Sequence, residues 1–134
     1  MIERESGSIV SISSDAGRMG EYREAVYSAC KAGVIALSKA VARETGRYGL
    51  RLNMVCPGLV VPPQAEVTSS ESMWSQGMQD IFTEDVLERV RRAYPLRRMG
   101  TAQEVANAVV FLASDAASFI TGQTLSVSGG YTMM

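Results

Sequence analysis

The spacing of apolar residues changes period twice between residues 8 and 56, and this constrains the fold more than any single motif. Ile9, Val10 and Ile12 sit in a short β-branched run bounded by Gly7-Ser8 and Ser13-Ser14, which predicts a buried strand over 8–13. Asp15 to Glu24 contains Gly17 and Gly20 and reads as loop. From Ala25 to about Tyr48 the spacing is helical: Val26, Ala29, Gly33, Leu37 and Ala40 share one stripe, and Val34, Ile35 and Val41 widen it. So broad an apolar surface predicts two partners, a sheet on one side and another subunit on the other. Gly33 inside a helix costs about 1 kcal/mol against alanine, so close packing against a strand is its expected reason. Gly46 and Gly49 end the helix, and Leu50 to Cys56 reads as a second strand stopped by Pro57-Gly58.

Further along, Leu59 to Ser72 reads as loop, with Pro62-Pro63 and many small polar residues. Thr83 to Tyr94 is expected to be an amphipathic helix with Val86, Leu87 and Val90 on one face and Pro95 after it. Thr101 and Glu104 form a capping box that opens a helix carrying Val105, Ala108, Val109 and Leu112. Thr124 to Ser128 is a third strand before Gly129-Gly130. Strands alternating with helices predict an α/β layer fold with a parallel sheet. With three strands, and no helix before the first, the pattern fits part of a domain, since an edge strand apolar on both faces invites pairing.

Composition removes several classes. The 134 residues include no histidine, which excludes Ser-His-Asp hydrolases, Cys-His proteases and most zinc enzymes. A formal net charge of −1 lacks the electrostatic footprint of a nucleic-acid binder. No uninterrupted apolar run reaches the ~18 residues of a membrane span. The charged opening MIERESGSIV does not read as a secretory leader, which leaves a cytoplasmic protein as the expectation. Cys30 and Cys56 form no CxxC pair and are expected to be two small buried thiols in a reducing compartment, with no metal.

One constellation carries chemistry: Ser14, Tyr27 and Lys31. Residues 27 and 31 are one helical turn apart and share a face. A phenol ordinarily titrates near ~10. An ammonium close by favours the phenolate, which suits a phenol to exchanging protons with a carbonyl or alcohol oxygen. Ser14 ends the preceding strand, where α/β sheets place functional groups. Taken alone, Tyr-x-x-x-Lys is a weak pattern, and a part-exposed tyrosine with a solvated lysine is the reading it favours by itself.

The surrounding residues extend it. Ile9 to Gly17 (IVSISSDAG), Tyr27 to Lys39 (YSACKAGVIALSK), Arg51 to Gly58 (RLNMVCPG), Arg98 to Asp115 (RMGTAQEVANAVVFLASD) and Thr121 to Gly130 (TGQTLSVSGG) closely resemble the short-chain dehydrogenase/reductase family, in order and at compatible spacing. The resemblance implies a partial Rossmann-like, doubly wound parallel sheet made of the last three strands and their helices. It implies hydride transfer with NAD or NADP between a secondary alcohol and a ketone as the small-molecule substrate. In those terms Ser14, thirteen residues before Tyr27, orients substrate, with Ser13 as the local alternative. Tyr27 is the acid/base and Lys31 binds the nicotinamide ribose. The backbone of Pro57, Gly58, Leu59 and Val60 contacts the carboxamide, although Pro57-Gly58 also reads simply as a strand-ending turn. Residues 62–99 become a substrate lid. Helix 25–48 and the last strand become the surfaces of a homo-oligomer.

Departures are as specific as the matches. Pro62 replaces a threonine that often contacts the cofactor, losing a hydroxyl and an N–H. Ser128 stands where the family often has an acidic residue. No two of the twelve glycines are two apart, so there is no GxGxxG to cradle a pyrophosphate. The residue that reads the ribose 2′ position and the family's catalytic asparagine are also missing. Residues 1–7 read as the tail of a helix running into a strand. The chain is therefore expected to be the C-terminal catalytic portion of one Rossmann-type domain, without its dinucleotide-binding half. The alternative is a non-catalytic fragment that serves as an assembly subunit. Met73, Trp74, Met78, Phe82 and Met99 suit either ordinary lid packing or a bulky apolar substrate. Arg89, Arg91, Arg92, Arg97 and Arg98 suit a solvated face or a phosphorylated substrate such as an acyl-CoA.

Overall fold

The computed structural model describes residues 1–62 and 82–134. Among them the chain forms, in order, β1 (Gly7–Ile12), α1 (Ala16–Met19), α2 (Ala25–Thr45), β2 (Leu50–Pro57), α3 (Glu84–Ala93), α4 (Ala102–Ala113) and β3 (Thr124–Val127). Short 3-10 turns lie at Ile2–Arg4, Gly46–Tyr48 and Asp115–Ala117. The strands form one parallel sheet in the order β1-β2-β3, with Ile9 beside Leu52 and Val55 beside Leu125.

The period-two alternation of the strands sends apolar residues to both faces. Leu52 and Met54 meet Ala42, Ile35 and Val41 of α2, with Ile9 alongside. Val55 faces the other way, onto Leu112, Val105 and Val109 of α4 and onto Ala117 and Ile120. Helices on both faces of a parallel sheet are the expected partial Rossmann-like arrangement.

Polar side chains fix where the elements end. The Thr101–Glu104 capping box opens α4 as expected. At the other end of α4, the Arg51 guanidinium donates to the carbonyls of Leu112 at 2.8 Å and Ser114 at 3.0 Å. A cation there satisfies orphan carbonyls and complements the helix dipole. Asn53 is fully buried yet satisfied: its amide donates to Ile120 O at 2.8 Å and its carbonyl accepts from the Gln123 amide at 3.0 Å. It holds the turn that feeds β3 into the sheet.

The structure corrects three expectations. Residues 16–19 form one helical turn rather than open loop. Gly17 permits this, because a Cβ there would stand 2.7 Å from the Lys31 carbonyl carbon; the missing side chain lets α1 lie against α2. The stripe of Val26, Ala29, Gly33, Leu37 and Ala40 faces outward, with Val26 80% and Leu37 65% exposed. The inward face instead carries Ser28, Ser38 and Ala42. Gly33 does not pack against a strand: a Cβ there would meet nothing within 4 Å. Cys30 is exposed, while Cys56 is buried as expected.

By length and composition, Ala25–Tyr48 is apolar enough to cross a membrane, although lysines interrupt the run. Its inward face accounts for that apolarity without a bilayer, since it packs Ile35, Val41 and Ala42 on the sheet and joins Ser38 to Ser11 at 3.3 Å. The strand expected at 8–13, the helix ending at Gly46 to Gly49, and the helices near 83–94 and 101–113 lie where their spacing places them. Residues 63–72 of the expected loop, and Met73, Trp74 and Met78, lie outside the described residues.

Candidate active site

The carboxyl ends of the three strands converge, as open α/β sheets place their functional groups. Past β1, the backbone stays hydrogen-bonded to β2: the Ser13 amide donates to Val55 O at 2.9 Å and the Asp15 amide to Pro57 O at 3.1 Å. Past β2, the Gly58 amide donates to Val127 O at 3.1 Å. Residues 13–15 and the Gly58 amide are thus tied to neighbouring strands at one end of the sheet.

Of the two candidate serines, Ser13 is buried and its hydroxyl donates to the Lys31 carbonyl at 2.8 Å. Ser14 is half-buried, and its Oγ accepts from the Ala16 amide at 3.2 Å. That bond uses a lone pair of the oxygen and leaves the hydroxyl hydrogen undirected. In α2, Lys31 reaches back to the end of β1, where its Nζ donates to Ile12 O at 3.3 Å. The same ammonium lies 5.6 Å from the centroid of the Tyr27 ring, within cation–π range. Tyr27 is 42% exposed, and no described residue hydrogen-bonds its hydroxyl. Tyr27 and Lys31 are therefore together and Lys31 is tied to the β1 end; no hydrogen bond joins Ser14 to either among the described residues.

The turn after β2 is crowded. A Cβ on Gly58 would stand 2.8 Å from the Tyr94 hydroxyl and 3.1 Å from Ser128 Cβ, so only glycine fits. The Leu59 amide donates to the Tyr94 hydroxyl at 2.7 Å, and Val60 forms a parallel bridge with Gly100. Burial pushes the Tyr94 hydroxyl above its ordinary range.

Sequence reasoning missed Asp15. This carboxylate is 2% exposed and accepts a short hydrogen bond on Oδ1 from the Ser126 hydroxyl. Arg18 Nη1 donates to that same Ser126 oxygen at 2.6 Å, and Thr132 Oγ1 lies 2.9 Å from it. Asp15 Oδ2 is buried with no partner among the described residues. Burial, with the Asp15 charge adding to it, pushes the Cys56 thiol up and keeps it protonated. An acid at the end of an apolar strand, three residues before an arginine, was the available signal. The arginines of residues 91–98 are largely occupied: Arg91 pairs with Glu84 at 2.6 Å, Arg92 with Glu88 at 3.1 Å, and Arg98 with Glu104 at 2.5 Å.

Comparison with known proteins decides the family. A family model described as enoyl-(acyl carrier protein) reductase matches residues 1–132. An acetoacetyl-CoA reductase of Synechocystis sp. is 42% identical over 98% of this chain and 49% of its own length. The 3-oxoacyl-[acyl-carrier-protein] reductase FabG of Escherichia coli is 40% identical over 100% of this chain and 49% of its own. The chain belongs to the short-chain dehydrogenase/reductase family. A FabG of Staphylococcus aureus is 39% identical over 99% of this chain. The chain thus spans about half the length of these curated short-chain dehydrogenase/reductase relatives.

Proposed function

We propose that this chain supplies the proton-handling half of an NAD(P)-dependent oxidoreductase site that interconverts a ketone and a secondary alcohol in the cytoplasm. The observation that carries the reading is the Lys31 ammonium, tied to Ile12 O and lying 5.6 Å from the Tyr27 ring centroid. Tyr27 presents a hydroxyl with no described protein partner, suited to giving a proton to a carbonyl oxygen or taking one from an alcohol. Lys31 spends one N–H on Ile12 O; two remain for the hydroxyls of a ribose. Ser14 keeps a hydroxyl hydrogen to place on the same substrate oxygen as Tyr27. The nicotinamide, when bound, carries the hydride.

The residues present fit the nicotinamide-ribose end of such a cofactor. The backbone of Pro57, Gly58, Leu59 and Val60 is the expected rest for the carboxamide, and Gly58 has no room for a side chain. Whether NAD or NADP binds is set by residues that read the ribose 2′ position. The names of the relatives share a 3-oxoacyl thioester as substrate, and that is the substrate class proposed here. In the complete, turning-over protein, Tyr27→Phe is expected to lower kcat about 10²–10⁴-fold, the usual worth of positioned acid–base catalysis, with circular dichroism unchanged. Full activity in that variant would end the assignment.

A second reading, an assembly subunit without catalysis of its own, is favoured by α2. Its outward stripe of Val26, Ala29, Gly33, Leu37 and Ala40 is exposed throughout. Such a surface suits a homo-oligomer formed through helix 25–48 and the last strand.

A further inference from the structure

Two tyrosines outside the Ser14, Tyr27 and Lys31 group link the turn after β2 to the start of α2. Tyr94, immediately after α3, is buried, and its hydroxyl accepts from the Leu59 amide at 2.7 Å. Its ring stacks on Tyr131, with centroids 5.0 Å apart and planes 11° from parallel. The Tyr131 hydroxyl donates to Glu21 Oε2 at 2.8 Å. The Glu21 amide in turn donates to Ser28 Oγ at 3.1 Å, one residue beyond Tyr27. The contacts thus run from the end of α3 and the turn at 58–60, through two rings, to α2, which carries the phenol and the ammonium.

The rings are themselves seated. The Leu96 amide donates to Gly129 O at 3.2 Å, which ties the residues after α3 to the double glycine. Gly129 and Gly130 both have positive φ, and a Cβ on Gly130 would stand 2.8 Å from Pro95 Cγ. Burial, with the hydrogen bond to Glu21 favouring the protonated form, pushes the Tyr131 phenol up to about 12. In this clamp the Tyr131 hydroxyl therefore keeps the proton it donates to Glu21 across the neutral range.

We propose that Tyr94 is a positioning residue for the cofactor rest. Its hydroxyl, held in place by the stack on Tyr131, engages the Leu59 N–H and so fixes the direction of the backbone over 58–60. The position of Gly58 explains why fixing is needed. A glycine has the widest backbone freedom, and here it precedes an amide that the strand ladder does not hold. With the Leu59 N–H taken by Tyr94 and Val60 bridged to Gly100, the backbone just after Gly58 is held at both residues. This role rests on the nicotinamide reading above, so the test has one readout that needs no cofactor and one that does.

The first readout is amide hydrogen exchange of the full chain by NMR. Tyr94→Phe keeps the ring and its stack and removes the acceptor. Exchange at the Leu59 amide is expected to rise at least tenfold, while the Met54 and Val55 amides in β2 keep their protection. Tyr131→Leu removes the stacked ring and leaves the Tyr94 hydroxyl; it is expected to speed Leu59 exchange by a smaller factor. Unchanged exchange at Leu59 in both variants overturns the clamp. The second readout is steady-state kinetics of the complete enzyme. Tyr94→Phe is expected to raise KM for the nicotinamide nucleotide severalfold and to lower kcat by less. An unchanged KM alongside fast Leu59 exchange overturns the positioning role but leaves the dehydrogenase reading standing. Protected Leu59 in a complete wild-type enzyme, dinucleotide-binding half included, that neither binds nor turns over a nicotinamide nucleotide overturns the dehydrogenase reading and the positioning role together.

Discussion

Glu104 shows what one side chain contributes at a helix start. Its Oε1 and Oε2 accept from Arg98 at 2.5 and 2.9 Å, and Oε2 also accepts from the Thr101 amide at 2.9 Å. The Arg98 guanidinium, with the Thr101 amide second, holds its pKa down from 4.5 to about 2. A carboxylate depressed on folding contributes stability that is fully present above its unfolded pKa and is lost as the pH falls through the folded one. The window here is pH 4.5 down to about 2. Glu104→Gln preserves capping geometry and removes the titration, so its melting temperature is expected to fall less steeply across that window than the wild type's. Parallel slopes in circular-dichroism melts would contradict this. The capping box was legible because its signature is local. So was the Tyr27–Lys31 pair, which needs only one helical turn. Asp15 was not, because the residue that bonds it, Ser126, lies 111 positions away.

Element by element, α2 separates what periodicity can give from what it cannot. Spacing identified the helix and the residues that share a face, but not which face meets the sheet. Apolar residues occur nearly all round α2, so the choice fell to polar contacts: Ser38 on Ser11, and Ser13 on the Lys31 carbonyl. Those bonds turn Ser28, Ser38 and Ala42 inward and leave Gly33 exposed. Gly33→Ala is therefore expected to stabilise the chain by about 0.5–1 kcal/mol, the helical preference for alanine, because the added methyl meets nothing. Chemical denaturation at low protein concentration measures it, and a lower midpoint would mean that α2 is packed on this face after all. The strands were easier to read, since Ile9 and Leu52 on one face and Val10 and Val55 on the other are set by period two once the helices cover both sides.

For the whole molecule, the division of labour along the chain decides what it does alone. The described residues set a phenol beside an ammonium, tie that ammonium to the end of β1, and form a glycine turn with no room for a side chain. A dinucleotide also needs a pyrophosphate site, ordinarily glycines spaced for a tight turn into a helix N-terminus. None of the twelve glycines has that spacing, and the chain spans about half of each relative it matches. The outer edge of β1 is unpaired among the described residues, which leaves a ladder that further parallel strands can extend. Isothermal titration of NADH or NADPH into the 134-residue chain is accordingly expected to give no binding heat, and a chain carrying the glycine-rich strand, turn and helix is expected to restore it. Micromolar binding by the 134 residues alone would place a pyrophosphate site within them and remove the case for a subunit without catalysis of its own.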